Sequence, residues 1–352
     1  MKLTFALFAL AAAVEGNLQS ALDHYQSMQQ IPGVAAVVTQ GDRIVFAGAS
    51  GVADLETGVD MSPDTVFYIG SVSKVFTAVL TLLLIEDDAL SLDDVAVEVS
   101  GEAVRVRHLL LHTSGLGREG DFEYWYNARF PDAESLREYL AGTRLRFAPG
   151  KSYSYSNIAY AALGPVVEHA SGMSFENALT HHIASKLGMA RTGTGRPAEH
   201  LATGYSPVDR VLPNENRPFA GLGRKVGDRY VREYHGSKAM TPAFGISASA
   251  RDLSFFTRAL LGFGSDFSFP ERVLEHLFSD QGNGRGYAMR RDIYKGRVVA
   301  RHGGWFAAHR SYLLLDLDSG ISVTILANSD SASPGTIAEG LLDAALQSVS
   351  SP

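Results

Sequence analysis

The sequence predicts an α+β fold, with an antiparallel sheet built from both chain ends, flanked by helices, and a mostly helical lobe inserted between them. Three observations carry this. Residues 34–39 and 43–49 are apolar runs rich in Val and Ala, separated by Gln40-Gly41-Asp42, the pattern of a β-hairpin. Residues 298–301, 311–317 and 320–327 also read as strands, the last two joined by Asp318-Ser319. In the middle of the chain, apolar positions recur at helical spacing. Strands at both ends with helices between them fit one sheet covered by helices.

Composition bounds the rest. A chain of 352 residues can bury a large core in two lobes or one large domain. It is 45% hydrophobic and 20% charged, which is globular composition with no disordered tract. The net charge of −7, with no basic run, gives no electrostatic reason to expect nucleic acid. The absence of cysteine excludes disulfides, thiolate zinc sites and a cysteine nucleophile.

The elements follow in order. Residues 1–16 place Lys2 before an apolar run broken only by Thr4, with Ala11, Ala12 and Ala13 as a small-residue cleavage site. This is the layout of a short secretory signal, too short to span a membrane; an N-terminal amphipathic or buried helix is the other reading. Residues 17–30 read as a helix with Leu18, Ala21, Leu22, Tyr25 and Met28 along one side, ended by Pro32-Gly33. After the hairpin, 54–63 is a polar loop. Val75, Ala78, Val79, Leu82 and Leu83 then mark a helix following Ser71, with Gly70 permitting a tight turn before it. Residues 90–94 read as a turn or a short helix start, and 117–141 are aromatic and charged. Phe147-Ala148-Pro149-Gly150 makes a sharp turn before a helix at 158–170, stopped by Ser171-Gly172. Another helix spans 174–187, with Ser174 as N-cap and Gly188 at its end. Residues 192–240 show little periodicity and read as long loops rimming a site. Helix returns at 250–261, and a final helix over Pro334–Val349 presents Ile337, Leu341, Leu342 and Leu346.

Chemistry concentrates in three separated segments. Ser71 and Lys74 are three residues apart and share a helix face. A serine hydroxyl needs a nearby base, and an amine kept neutral by burial or neighbouring cations can serve. The same pattern also suits an N-cap serine followed by a solvated lysine. The other segments are Tyr155-Ser156-Asn157 and His302-Gly303-Gly304. Tyr153 competes with Tyr155, but only Tyr155 has Asn two places on. His108 and His112 have helical metal-ligand spacing, yet Leu-Leu-Leu lies between them and no Glu follows the first, so packing is the better account. His181 and His182 are adjacent and point apart on a helix. No strict G-x-S-x-G is present.

The set and its order resemble the serine β-lactamase and penicillin-binding peptidase superfamily, in the branch of class C β-lactamases, D-Ala-D-Ala carboxypeptidases and family VIII carboxylesterases. The resemblance runs from about residue 17 to 346. It implies a β-lactamase/DD-peptidase-like fold that follows the signal read at 1–16, with a sheet lobe from 17–70 and 241–352, a mainly helical lobe at 71–240, and the active site between the lobes.

The resemblance also implies roles. Ser71 attacks a carbonyl to form an acyl-enzyme, and Lys74 and the Tyr155 phenol pass its proton to the leaving group, the phenol loosened by nearby cations. Asn157 holds Lys74 or the substrate amide. The N–H groups of Ser71 and Trp305 form the oxyanion hole, while Gly303 and Gly304 let the substrate backbone approach. His112 and Ser114 belong to a structural turn. The departure is His302, where class C β-lactamases have Lys; a partly charged ring there shifts preference away from β-lactams. Arg310 or Arg301 then supplies a cation for a substrate carboxylate.

The expected protein is a metal-independent serine hydrolase with no cofactor, acting on a small carboxylic ester or D-amino-acid peptide in preference to a β-lactam. Its partners are small molecules, with no nucleic acid and no stable membrane insertion. It is secreted or periplasmic, or cytoplasmic if 1–16 is not a signal. Two alternatives stand beside this: an acyltransferase using the same acyl-enzyme, and a non-catalytic peptidoglycan-binding or sensor module.

Overall fold

The computed structural model describes residues 2–127, 129–195, 197, 199–210, 222–234, 236–264, 267–282 and 284–349. Its centre is a six-stranded antiparallel sheet in the order Arg290–Tyr294, Arg297–Phe306, His309–Asp316, Ile321–Ala327, Gly33–Gln40, Arg43–Gly51. The first strand of the chain pairs with the last, from Val34 opposite Ala327 to Gln40 opposite Ile321. The two chain ends therefore share one sheet, as the sequence predicts. Gly33–Gln40 lies in its interior and is buried on both faces, which is why it reads as a continuous apolar run rather than an alternation.

Helices cover both faces. On one side Leu18 and Leu22, from the helix Lys2–Met28, and Ile337, Leu341 and Leu342, from Pro334–Val349, pack on Val34, Ala36 and Val38. On the other, Ala35, Val37, Leu313 and Leu326 join a core that runs through Phe256 of Ala250–Leu260 into the helix Ser73–Glu86. Phe76 and Phe256 stack there, their centroids 3.9 Å apart. Ser73–Glu86 is buried from Ser73 to Leu84, so it is apolar almost all round and packs between Asn157–Ser171 and Thr241–Phe244. Among the described residues no helix is long and apolar enough to cross a membrane.

Several segments differ from expectation. Residues 192–240 are not only loops. Gly204–Pro207, Arg229–Arg232 and Leu222–Val226 form a three-stranded sheet, and Gly193–Thr194 pairs with Ile246–Ser249. These strands are short and rich in Arg, Lys and Gly, so they carry no apolar alternation to read. Residues 211–221 of that stretch lie outside the described residues. Val95–Val99 and Glu102–Arg105 form a hairpin whose turn residues, Ser100 and Gly101, both have positive φ. The charged stretch after residue 117 contains the helix Ala133–Gly142, capped by Asp132 accepting from the Ser135 N–H. The helix after Ser174 widens into a π-turn at Thr180–Ala184, which brings the His181 and His182 rings edge to face at 4.9 Å instead of apart.

Candidate active site

The turn at 69–71 is pinned from two sides. Gly70 has φ +53, and a Cβ there would lie 2.3 Å from the Trp305 nitrogen. A Cβ on Gly304 would lie 2.0 Å from the Ile69 carbonyl oxygen, which also accepts a 2.6 Å hydrogen bond from Ser311 Oγ. Glycine is required at both places because the strand Arg297–Phe306 runs against the turn. Gly304 thus admits the protein's own backbone, not a substrate backbone, while Gly303 is exposed at the edge of the cleft. The same contact brings the backbones of residues 70 and 305 together, so the amides of Ser71 and Trp305 belong to adjoining segments.

Ser71 sits in the 3₁₀ turn Gly70–Val72 that feeds the helix Ser73–Glu86. Lys74 is wholly buried. Its Nζ lies 2.7 Å from Asn157 Oδ1, 2.7 Å from the Ala243 carbonyl and 3.4 Å from Ser71 Oγ. The solvated-lysine reading is therefore wrong for this chain. Burial holds the Lys74 amine well below the ordinary lysine range; Glu119 opposes this and Arg118 adds to it.

The Tyr155 hydroxyl donates to Ser71 Oγ at 2.8 Å. Its backbone is fixed by Ser156, whose Oγ accepts from the Ala159 N–H and donates to the Gly117 carbonyl, capping Asn157–Ser171. The Ser156 N–H in turn donates to Nδ1 of buried His112, whose ring lies 4.4 Å from that of Tyr155. Nearby cations do not loosen the phenol. Burial raises its pKa and outweighs the opposing effects of the Ser71 hydrogen bond and Arg118. These surroundings therefore favour a neutral Lys74 amine and a protonated Tyr155 phenol. Tyr153 instead stacks under Arg285, 4.6 Å from its ring.

Other candidates divide. Arg310 lines the cleft, its guanidinium 5.6 Å from the Trp305 ring centroid and Nη2 donating to the Asp330 carbonyl at 3.2 Å. Arg301 is engaged by Asp292 and by Glu339, the latter at 3.2 Å, and does not line the cleft. His302 is half-buried, with Nδ1 2.9 Å from the Gly303 carbonyl; burial holds its imidazole below the ordinary range, so the ring is neutral rather than partly charged. His108 Nδ1 accepts from the Arg105 N–H at 3.1 Å, a capping role.

Among the residues that line this cleft of about 360 Å³, sequence reasoning missed Ser311, Tyr312, Pro334 and Gly335 and, closer to the polar centre, Arg118, Glu119 and Trp125. Glu119 accepts from Asn157 Nδ2 at 2.9 and 3.0 Å, from the Tyr124 hydroxyl, and from Arg118 Nε at 3.1 Å. The Arg118 guanidinium lies 5.4 Å from the Tyr155 ring centroid. Trp125 stacks on Trp305 with centroids 5.2 Å apart and planes 21° apart. The only available signal was the charged and aromatic character of the stretch after Gly117.

Comparison with known proteins gives the family and the fold. A family model described as Beta-lactamase matches residues 18–347. Esterase EstB of Burkholderia gladioli is 28% identical over 363 residues, covering 91% of each chain. The D-amino acid amidase from Ochrobactrum anthropi SV3 superposes with a TM-score of 0.81 at 21% identity, over 95% of this chain and 99% of that one. A β-lactamase/D-alanine carboxypeptidase from Pseudomonas syringae gives 0.77 at 20% identity, over 97% and 100%. At these identities the two structures establish the fold.

Proposed function

The chain belongs to the Beta-lactamase family of serine hydrolases, and from that premise we propose that it hydrolyses a small carboxylic ester or D-amino-acid amide through an acyl-enzyme on Ser71. The observation that carries this is the position of Ser71 Oγ, 2.8 Å from the Tyr155 hydroxyl and 3.4 Å from a buried, desolvated Lys74 amine.

As Oγ forms its bond to the carbonyl carbon, the serine proton passes to Lys74, and the carbonyl oxygen gains charge facing the Ser71 and Trp305 N–H groups. When the intermediate collapses, the bond to the leaving oxygen or nitrogen breaks. Tyr155 donates to that atom, and protonated Lys74 supplies the proton that departs with it. Water repeats the sequence to release the acid. We read the chain as two lobes divided at 71 and 240, with a cleft to which residues 71–240 contribute Ser71, Arg118 and Asn157 and the later residues Trp305, Arg310 and Tyr312.

An uncharged His302 and the esterase among the sequence relatives support an ester over a β-lactam. The acyltransferase reading keeps the same intermediate. We read residues 1–16 as a secretion signal and the protein as secreted or periplasmic.

A panel of short acyl esters, D-amino-acid amides and a chromogenic cephalosporin, run with and without an added alcohol acceptor, tests this beside Ser71→Ala. Ester or amide turnover that disappears in Ser71→Ala is expected. Undiminished turnover in that variant would remove the proposal, and product partitioning mainly to the alcohol would make the protein an acyltransferase.

A further inference from the structure

We propose that Glu119 is a positioning residue of this site: through Asn157 it sets which way the Lys74 amine presents its lone pair. The inference rests on the reading of Lys74 as the proton acceptor for Ser71.

The argument is one of donors and acceptors. An asparagine amide has an acceptor end and a donor end of nearly the same shape, so its neighbours decide its orientation. Both Glu119 carboxylate oxygens lie within hydrogen-bond distance of Asn157 Nδ2, at 3.0 and 2.9 Å, and an ionised carboxylate only accepts. The nitrogen end is thereby committed to Glu119, and Oδ1 faces Lys74 Nζ at 2.7 Å. The second close partner of Nζ is the Ala243 carbonyl, also an acceptor, at 2.7 Å.

A neutral primary amine has two N–H donors and one lone pair. The two carbonyl oxygens take both donors, which leaves the lone pair for the third neighbour, Ser71 Oγ at 3.4 Å. With Asn157 turned over, its NH₂ would face Nζ and draw the lone pair away from the serine. Glu119 is held in turn by Arg118 Nε at 3.1 Å and by the hydroxyl of fully buried Tyr124.

Glu119 also acts on Lys74 through its charge. Around Nζ stand the Tyr155 and Tyr160 rings at 4.9 and 5.6 Å, with His112 and His302 beyond, both held uncharged, and the exposed cation Arg118. Glu119 is the anion in that set, and it favours the protonated amine. Its removal should therefore make Lys74 easier to deprotonate while letting Asn157 turn.

The test is the rate at which a fluorophosphonate labels Ser71 across about pH 5 to 9, which needs no knowledge of the substrate. For the isosteric Glu119→Gln the expected plateau rate falls about 10- to 100-fold, the scale of a lost hydrogen bond to a charged group, and the acid limb moves to lower pH. In an Asn157→Ala background the same substitution should cost less than about threefold, because the path through Asn157 is already gone. Glu119→Asp keeps the charge at shorter reach, so its rate falls while its acid limb stays in place; this arm stands if the Gln variant does not fold. A wild-type rate and acid limb in Glu119→Gln, full multiplicative losses with Asn157→Ala, or an acid limb that moves in Glu119→Asp would each overturn the assignment. Labelling that persists in Ser71→Ala would instead overturn the underlying reading of the nucleophile.

Discussion

At the scale of single residues, the proposed chemistry depends on an uncharged Lys74, and the groups around it determine whether that state is available. Lys74→Ala and Tyr155→Phe should each lower the acylation rate by about two to four orders of magnitude. Both serve the same proton, so the double variant should lose much less than the product of the two, and independent losses in stopped-flow acylation would contradict the shared path. His302 immediately precedes Gly303 of the cleft lining, and burial keeps its ring neutral. His302→Lys adds a cation, which should raise kcat/KM for a carboxylate-bearing substrate relative to a neutral ester by about several-fold. An unchanged ratio would place residue 302 outside the substrate's reach. Ser71, Lys74, Tyr155 and Asn157 were legible in the sequence because each lies in a short fixed spacing. Glu119, Arg118 and Trp125 were not. Their roles come from how the segment after Gly117 folds back over Asn157 and Trp305, and no local pattern records that.

At the scale of elements, the site exists because a strand and a helix-opening turn touch with no side chain between them. Gly70→Ala puts a Cβ against the Trp305 nitrogen and forces a residue at φ +53, so it should destabilise the fold by about 1–3 kcal/mol and slow Ser71 labelling. An unchanged melting temperature together with an unchanged labelling rate would contradict the contact. The two tryptophans of the chain, Trp125 and Trp305, both line the cleft and stack on each other. Selectively excited tryptophan fluorescence therefore reports on the site: saturating phenylboronic acid should change the emission of wild type but not of Ser71→Ala, and identical responses would mean that the ligand binds elsewhere. The long helices and the strands of the central sheet could be read because they bury regular apolar faces. The strands between 193 and 232 could not, since Arg229–Arg232 and Leu222–Val226 carry mostly charged and polar side chains whose pairing is set by distant partners.

At the scale of the whole molecule, the sheet that unites both chain ends also ties its stability to acidity. His309 is buried on the strand His309–Asp316; its Nδ1 accepts from the Tyr68 N–H at 2.9 Å, while Nε2 donates to the Ala202 carbonyl at 3.0 Å. This leaves no place for a second proton, and burial lowers its pKa to about 4 from 6.5. Below pH 6.5 the unfolded chain takes up a proton that the folded one refuses, so stability should fall between pH 6.5 and about 4, by about 3 kcal/mol from this residue. Denaturant midpoints at about pH 7.5 and 4.5 should separate less in His309→Asn than in wild type; equal separations would contradict the assignment. That both chain ends would meet in one sheet was legible from strand runs at each end, whereas the buried histidine between them gave no local sign of its burial. The central claim, that Ser71 carries the acyl group, is tested most directly by fragmenting the fluorophosphonate-labelled tryptic peptide 44–74, which contains both Ser71 and Ser73. The adduct is expected on Ser71 at one per chain, and absent in Ser71→Ala and strongly slowed in Lys74→Ala. A label on Ser73 or on Ser114, or one that survives in Ser71→Ala, would contradict it.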